Sequence, residues 1–311
     1  MIKMENVCKK FSKKVVLENI NMTIEKGEII SIIGKNGSGK TTIVKLLTGL
    51  LTQDSGQIFY NNKNLKNFGS EFYSNIGVML EGNRNMYWYL TGKENIEYFG
   101  GLYKMSKKEI NRITMPLVEL FDLSNDINKP VGEYSRGMKQ KLSLILSLIN
   151  DPEIIFLDEP TLGLDIFSKR FLVQKIKELA QKLGKTIVIT SHEFKIVEEI
   201  SDRIFLVNDK KLIVIENVEN FIKLESSMRK SYNITFINDG NQEISFESKF
   251  TVENIRKEDG RVEMKMTVNC NSDLNNMLSY LLDKKATIEK VEYNGISLED
   301  IMKEVLQSDD I

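Results

Sequence analysis

The sequence predicts an α/β protein built on a parallel sheet, with a helical subdomain and a small α+β domain near its C-terminal end. Three observations predict this fold class. Short apolar or β-branched runs recur through roughly the first two hundred residues, amphipathic helical patterns separate them, and the pattern changes after about residue 216. Strands that alternate with helices are typical of a parallel sheet covered on both faces.

Four runs are predicted to be buried parallel strands, because each is almost continuously apolar or β-branched: residues 29–33, 154–157, 186–190 and 204–207. Two segments between them have the i, i+3, i+4, i+7 spacing of an amphipathic helix. These are Ile43 with Leu46, Leu47 and Leu50, and a stripe from Leu172 to Leu183. The α/β domain is expected to span residues 1–216, with the helical subdomain at about 88–150.

The C-terminal part of the chain has a different pattern. Residues 217–229 are predicted to be a linker and residues 230–311 a small α+β accessory domain. Within it, the apolar residues alternate with polar ones between Val262 and Val268, as in a half-buried strand. Ser297 and Asp300 form a capping-box pattern ahead of an apolar helical stretch.

Composition excludes several classes of function. Lys+Arg number 43 and Asp+Glu 44, so no overall basic charge indicates nucleic acid. Cys8 and Cys270 are too few for a disulfide framework and lack the spacing of a metal site. No run reaches the roughly 18 apolar residues of a membrane span, and no signal peptide is indicated. We therefore expect a cytoplasmic chain that reaches a membrane only through a partner.

The segment from residue 34 to 41 matches the pattern G-x-x-x-x-G-K-T, between a buried strand and an amphipathic helix. Glycines let backbone N–H groups converge on phosphate oxygens, and the helix points its positive end at the same place. Lys40 is predicted to reach the β- and γ-phosphates and Thr41 to ligate Mg²⁺. An ordinary glycine-rich turn is the alternative. The predicted nucleotide-binding residues are Gly34, Lys35, Asn36, Gly37, Ser38, Gly39, Lys40, Thr41 and Thr42.

Polar residues follow two of the other predicted strands. Asp158 ends one strand and Glu159 comes next. An aspartate there can hold Mg²⁺ opposite Thr41, and the adjacent glutamate can accept a proton from an attacking water. His192, the only histidine, follows the strand 186–190. It would lie at the ligand-binding edge of a parallel sheet, where it could contact the γ-phosphate or the water. A solvated acidic pair and a surface histidine are the alternatives.

With these elements in order, the chain resembles the ATPase subunit of an ATP-binding-cassette (ABC) transporter. The resemblance rests on the phosphate loop, the run that ends at Pro160, the turn at 163–165 and the Ser191-His192 pair. The decisive element occupies the place of the family's signature sequence: Tyr134-Ser135-Arg136-Gly137-Met138-Lys139-Gln140. The resemblance covers about residues 1–220. It implies a P-loop NTPase fold with a RecA-like parallel sheet.

The resemblance also implies roles for single residues. Asp158 resembles the Mg²⁺ ligand, Glu159 the general base and His192 the switch histidine. Phe11 stands where an aromatic ring stacks on adenine, although a core position is equally open. Three further residues would act in trans, on ATP bound by a second subunit: Ser135, Gly137 and Asp165. The signature helix is expected to start near Ser135. Two subunits would then sandwich two ATP molecules in a two-fold arrangement.

The sequence departs from the family pattern at three positions. Arg136 and Met138 replace a glycine and a glutamine of the signature, while the phosphate-facing positions are kept. Glu81 stands where a glutamine is usual, after the predicted strand at 76–80. A carboxylate there can still bind Mg²⁺ and affect catalysis, but it adds negative charge near the γ-phosphate. We favour a neutral substitution.

The resemblance implies partners as well. The aromatic-rich segment 81–89 corresponds to the groove that accepts a helix from the membrane subunit, with packing between the two lobes as an equal alternative. The segment 296–301 resembles an extension of drug and antimicrobial-peptide exporters, which favours export. We therefore expect separate transmembrane permease subunits and an ATPase homodimer or heterodimer, peripheral on the inner face of the membrane, with no nucleic acid.

Alternative functions remain open. A soluble ABC ATPase that acts on ribosomes or DNA typically has two cassettes or a long coiled coil, and this chain has one phosphate loop and no sustained heptads. The signature and His192 argue against a GTPase or small-molecule kinase. A nucleotide-binding regulator with little turnover stays possible because of Glu81.

Overall fold

The structure is a computed structural model, and it describes residues 1–82, 86–215, 230–238, 251–258, 260–268 and 271–293. The chain divides into two compact units, Met1–Val218 and Glu219–Ile311. The predicted linker at 217–229 lies outside the described residues. So do the capping-box pattern at Ser297 and Asp300 and the segment 296–301.

The first unit contains two sheets and most of the helices. Its strands are β1 Ile2–Phe11, β2 Lys14–Ile24, β3 Ile29–Ile33, β4 Ser55–Tyr60, β5 Lys63–Asn64, β6 Ile76–Met79, β7 Ile154–Asp158, β8 Thr186–Ser191, β9 Arg203–Asn208 and β10 Lys211–Ile215. Its helices are α1 Lys40–Leu47, α2 Glu71–Ser74, α3 Gly92–Leu102, α4 Lys107–Leu120, α5 Arg136–Ser147, α6 Ile166–Leu183 and α7 Phe194–Ile200. Short 3₁₀ turns lie at Leu65–Asn67 and Val131–Glu133.

The larger sheet has the strand order β10-β9-β3-β8-β7-β6. Its strands pair in parallel, except that β10 is antiparallel to β9. Every residue of β3, β7 and β8 is buried. Side chains of β7 pack alternately into two apolar clusters: Ile155 and Leu157 into one, Ile154 and Phe156 into the other. The four predicted parallel strands are confirmed, because burial on both faces requires a continuous apolar run.

The smaller sheet is antiparallel, in the order β2-β1-β4-β5. Its apolar residues share a cluster with α1 and with one face of β3 and β7. The sheet therefore closes one side of the core, and the helices α3 to α6 cover the other.

Three helices, α3, α4 and α5, lie within the range predicted for the helical subdomain. Two capping boxes begin its first helices: Thr91 with Glu94 starts α3, and Ser106 with Glu109 starts α4. Each box satisfies backbone N–H groups that a helix start leaves without partners. Within the described ranges, no helix combines the length and apolar composition that crossing a bilayer requires.

Two residues of the predicted apolar stripes are placed differently. Helix α1 ends at Leu47, and Gly49 then turns the chain at φ +70°, so Leu50 is 56% exposed. Leu183 is the last residue of α6, next to the left-handed Gly184, and is 53% exposed. The apolar spacing is kept at both positions, but Leu50 lies past the end of α1 and Leu183 lies in the last turn of α6, so both side chains are exposed.

The second unit contains β11 Lys230–Ile237, β12 Thr251–Glu258, β13 Arg261–Val268, β14 Thr287–Tyr293 and α8 Asn271–Asp283. Its sheet is antiparallel, in the order β12-β13-β11-β14. The alternation predicted for β13 is confirmed, since its four apolar residues are buried. They form a core with Met277 and Leu281 of α8, so the described part of this unit is α+β.

Candidate functional site

The phosphate loop connects the end of β3 to the start of α1, and its glycines are required by space and by backbone conformation. A Cβ atom on Gly34 would lie 2.7 Å from the carbonyl oxygen of Val207 on β9, so only glycine fits there. Gly37 and Gly39 have φ angles of +80° and +115°, which disfavour other residues. Gly39 is the N-cap of α1. The loop therefore curls tightly against the helix start, where N–H groups can bind an anion.

Lys40 is buried, and its ammonium group points back at the phosphate loop. Its Nζ donates hydrogen bonds to the carbonyl oxygens of Gly34 at 2.8 Å and Lys35 at 3.2 Å. It also lies 3.4 Å from Oε1 of Glu159, and both side chains are less than a tenth exposed. A phosphate that binds in this loop thus competes with two carbonyls and one carboxylate for the same ammonium group.

Asp158 is fully buried at the end of β7, and its two carboxylate oxygens have different surroundings. Oδ1 accepts hydrogen bonds from the hydroxyls of Thr41 at 3.2 Å and Thr190 at 2.6 Å. Oδ2 is buried without a hydrogen-bond partner among the described residues. An unpartnered buried carboxylate oxygen is costly, and a bound cation would satisfy it. Thr41 and Asp158 supply the hard oxygen atoms that Mg²⁺ prefers, so the pair fits the predicted magnesium site.

Glu159 lies between the phosphate loop and the end of β8. Its Oε1 faces Lys40, and its Oε2 is 2.9 Å from Nδ1 of His192. The backbone of Glu159 has a φ of +50°, an uncommon conformation for a residue with a side chain. Its N–H donates a hydrogen bond of 2.9 Å to the hydroxyl of Thr190. The structure therefore brings together the two residues predicted to be the general base and the switch histidine.

The remaining residues of the predicted nucleotide site lie around the loop. Phe11, at the end of β1, is 47% exposed and the ammonium of Lys9 lies 5.6 Å from its ring. This exposure contradicts the alternative of a core position. Lys35 and Asn36 are exposed, and Thr42 is half-buried in the first turn of α1. The hydroxyl of Ser38 is buried without a partner in the described structure, so it is available to a ligand of the loop.

Glu81 is the predicted site residue that stands apart. It follows β6, it is exposed, and it makes no hydrogen bond or ion pair with any other residue that the structure describes. Both oxygens of Glu159 and one oxygen of Asp158 have partners, and Glu81 is not among them. A catalytic or magnesium-binding role for Glu81 remains a prediction.

The residues predicted to act in trans lie at two helix starts. The prediction that the signature helix starts near Ser135 is confirmed: α5 begins at Arg136, and the Ser135 hydroxyl accepts a hydrogen bond from the Met138 N–H at 3.2 Å. Asp165 caps α6 through the N–H groups of Phe167 and Ser168. The hydroxyl and N–H of Ser168 hold the pKa of Asp165 below its usual value.

Gly137, in the first turn of α5, has room for a side chain within its own chain. A Cβ atom there would lie 3.5 Å from its nearest neighbour, the Ser168 hydroxyl, which is an ordinary contact. Ser135 and Asp165 are exposed. Apart from the capping bonds and the Ser168 hydroxyl, which donates to Asp165 at 2.6 Å, no side-chain hydrogen bond is described for these groups, and they lie at exposed helix starts.

Sequence reasoning missed the contacts that tie the signature helix to the residues after Glu159. The Gln140 side chain donates to the carbonyl of Pro160, and the Arg136 guanidinium occupies the space that a Cβ on Gly163 would need. It also missed Thr190, which bonds both Asp158 and Glu159. The one available signal for Thr190 was a polar residue at the carboxyl end of an apolar strand.

The aromatic-rich segment 81–89 is partly packed within the unit and partly exposed, and its residues 83–85 lie outside the described ranges. Met86 is buried, and the Tyr87 N–H donates to the Asn95 side chain, so this part packs within the unit. Trp88 and Tyr89 are 60% and 77% exposed. A cleft of about 230 Å³ runs along the helical subdomain, and its lining includes the partly exposed side chains Leu50, Tyr73, Phe99 and Tyr103.

Known proteins resemble this chain over about two thirds to three quarters of its length. A model of the ABC transporter family matches residues 17–162. The chain is 34% identical over 236 residues to the ABC transporter ATP-binding protein NatA of Bacillus subtilis, with 75% of this chain and 96% of that protein covered. It is 36% identical over 214 residues to a fluoroquinolones export ATP-binding protein of Mycobacterium tuberculosis, with 69% of each covered.

A solved structure matches the fold as well. It is a dimeric ATP-binding cassette in a post-hydrolysis state, bound to ADP and phosphate. The TM-score is 0.61 at 27% identity, and the match covers 68% of this chain and 96% of that one.

Proposed function

Because the chain belongs to the family of ABC transporter ATP-binding proteins, we propose that it binds ATP with Mg²⁺ and hydrolyses it to drive an exporter. One observation carries the proposal. Lys40, Asp158 and Glu159 form a buried cluster at the phosphate loop, with His192 on the outer oxygen of Glu159. Three buried ionisable groups are costly to assemble, and a role in catalysis gives a reason for their placement.

The cluster can carry out the reaction as follows. Thr41 and the free oxygen of Asp158 would hold Mg²⁺, which neutralises charge on the β- and γ-phosphates. When a phosphate takes the ammonium of Lys40, Oε1 of Glu159 loses its ionic partner and becomes available as a base. His192 keeps Oε2 and fixes the carboxylate. Glu159 then accepts a proton from the water that attacks the γ-phosphorus, as the bond from that phosphorus to the β–γ bridging oxygen breaks.

A complete site requires a second copy of the chain or a related subunit. Ser135 and Gly137 lie at the start of α5, and no hydrogen bond or ion pair described in the structure joins them to the phosphate loop. Partial positive charge at a helix start attracts phosphate. We infer that it faces ATP bound to the partner subunit. The dimeric cassette bound to ADP and phosphate supports this arrangement.

The exposed aromatic surface supports coupling to a membrane protein. Trp88, Tyr89 and the cleft beside the helical subdomain offer apolar area of the kind that interfaces use. Relatives are named as transporter and drug-export ATP-binding proteins. We therefore propose separate transmembrane permease subunits, which would hold this chain at the inner face of the membrane.

The test uses the purified full chain and the Glu159→Gln variant. We expect magnesium-dependent ATP hydrolysis by the wild type and a loss of at least about 100-fold in the variant, because the base is removed. ATP binding should persist, and the variant should accumulate as an ATP-bound dimer in size-exclusion chromatography. Glu178→Gln is the matched control, since Glu178 pairs with Lys175 and Lys182 away from the site.

Two results would overturn the proposal. A wild-type chain that hydrolyses no ATP even with its permease would be a nucleotide-binding regulator. Stable co-purification with ribosomes, rather than with a membrane protein, would place it among the soluble ABC ATPases.

A further inference from the structure

Thr190 lies directly beside Asp158 in the sheet. The two residues are register partners on the parallel strands β8 and β7. Side chains at paired positions of parallel strands point to the same face. Thr190 is fully buried, and its hydroxyl donates a 2.6 Å hydrogen bond to Oδ1 of Asp158. The Thr190 hydroxyl oxygen in turn accepts a hydrogen bond from the Glu159 N–H at 2.9 Å. One hydroxyl thus contacts both acidic residues of the site.

The hydroxyl makes the two oxygens of Asp158 unequal. Oδ1 is engaged by Thr190 and, at the longer distance of 3.2 Å, by Thr41, whereas Oδ2 is buried and unpartnered in the described structure. The Thr41 hydroxyl is itself a proposed metal ligand, so Thr190 is the donor that remains on Oδ1 when Thr41 is occupied. A β-branched side chain such as threonine has restricted χ1 freedom, which keeps the hydroxyl in place.

We propose that Thr190 is a positioning residue that selects the Asp158 oxygen offered to Mg²⁺ and holds the backbone of Glu159 in its left-handed conformation. The inference rests on the proposed function, because it concerns the magnesium of that site. The contacts that carry this role are those of the Thr190 hydroxyl with Asp158 and Glu159. It acts through the orientation of the two carboxylates, as hydrogen bonds to metal ligands commonly do.

A purely structural role is the competing explanation, and shape-matched variants separate the two. Thr190→Val keeps the branched shape and removes the hydroxyl. Thr190→Ser keeps the hydroxyl. Thr186→Val is the control on the same strand: Thr186 is also fully buried, and its hydroxyl accepts the Gly27 N–H at 2.8 Å, at the end of β8 remote from the site.

The experiment measures the affinity of the full chain for fluorescent ADP, once with EDTA and once with Mg²⁺. The readout is the dissociation constant with EDTA divided by the dissociation constant with Mg²⁺, which measures how far Mg²⁺ tightens binding. Thermal midpoints without nucleotide are recorded alongside. We expect Thr190→Val to reduce the ratio by about tenfold or more. Thr190→Ser should stay within about threefold of the wild type, and Thr186→Val should lower the thermal midpoint without changing the ratio.

The possible results distinguish the role of Thr190 from the magnesium site itself. A wild-type ratio in Thr190→Val would overturn the role of Thr190 and leave the proposed ATP site intact. A wild type with no tightening by Mg²⁺ would overturn the magnesium site and this inference together. If Thr190→Val does not fold, Thr190→Ala removes the same hydroxyl without the branched side chain, and an unchanged ratio there contradicts the proposal equally.

Discussion

The two halves of the proposed ATP site are built in opposite ways. The half that includes Lys40, Asp158 and Glu159 is buried, and its groups are partnered mainly with one another. The half that includes Ser135 and Asp165 is exposed, and its polar groups cap helices. The first half is therefore complete as a folded structure within one chain. The second caps helices in its own chain and, under the proposed function, would contact ATP bound to a second subunit.

The difference shows where a glycine is needed for folding and where for function. Gly34 has no space for a Cβ atom, because the carbonyl of Val207 occupies it. Gly137 has that space and remains a glycine. A position that the chain could fill and does not is a candidate contact surface for something outside the chain.

The largest expected effect comes from paired substitutions at these glycines. Gly34→Ala should lower stability by at least about 2 kcal/mol, as overpacking does, and should abolish ATP binding. Gly137→Asp should change stability by less than about 0.5 kcal/mol, since an acidic residue suits the first turn of a helix. It should bind ATP normally but hydrolyse it at least about 100-fold more slowly, because its carboxylate repels the partner's phosphate.

Thermal unfolding, nucleotide binding and turnover check this pair. A Gly137→Asp variant that loses ATP binding would place Gly137 in the buried half and break the comparison. A Gly34→Ala variant of normal stability would show that the loop can move away from β9.

Mixing two inactive variants tests whether the halves come from different chains. Lys40→Ala damages the buried half and Gly137→Asp the exposed half. In a mixed two-fold dimer, one of the two sites takes both intact halves. With random pairing and independent sites, an equimolar mixture should recover about a quarter of wild-type turnover. A mixture no more active than its components would contradict the two-fold arrangement.

The smallest expected effect is at Glu81, which belongs to neither half in this structure. Glu81→Gln restores the residue that is usual in the family. We expect stability to change by less than about 0.5 kcal/mol and kcat by less than about threefold, or about 0.6 kcal/mol of activation free energy. Steady-state kinetics over a range of Mg²⁺ concentrations measure both kcat and metal dependence. A change of tenfold or more would return Glu81 to the catalytic group.

Local sequence features predicted much of the fold. The apolar runs at β3, β7, β8 and β9 identified buried strands, because only apolar residues suit strands covered on both faces. The phosphate loop and the start of α5 at Ser135 were also predictable, since glycine spacing and N-cap chemistry depend on a few consecutive residues. Apolar periodicity did not give burial at Leu50, which lies past the end of α1, or at Leu183, the last residue of α6.

The sequence by itself determined the elements, the phosphate loop and the residue types at the ends of the strands. Only the tertiary structure decided which of these residues meet. Thr190 lies opposite Asp158 because β8 pairs with β7 in one register, and Lys40 reaches Glu159 because α1 starts beside the end of β7. Glu81, by contrast, meets neither. Such contacts join residues more than thirty positions apart, and they depend on strand order and register, which no local pattern encodes.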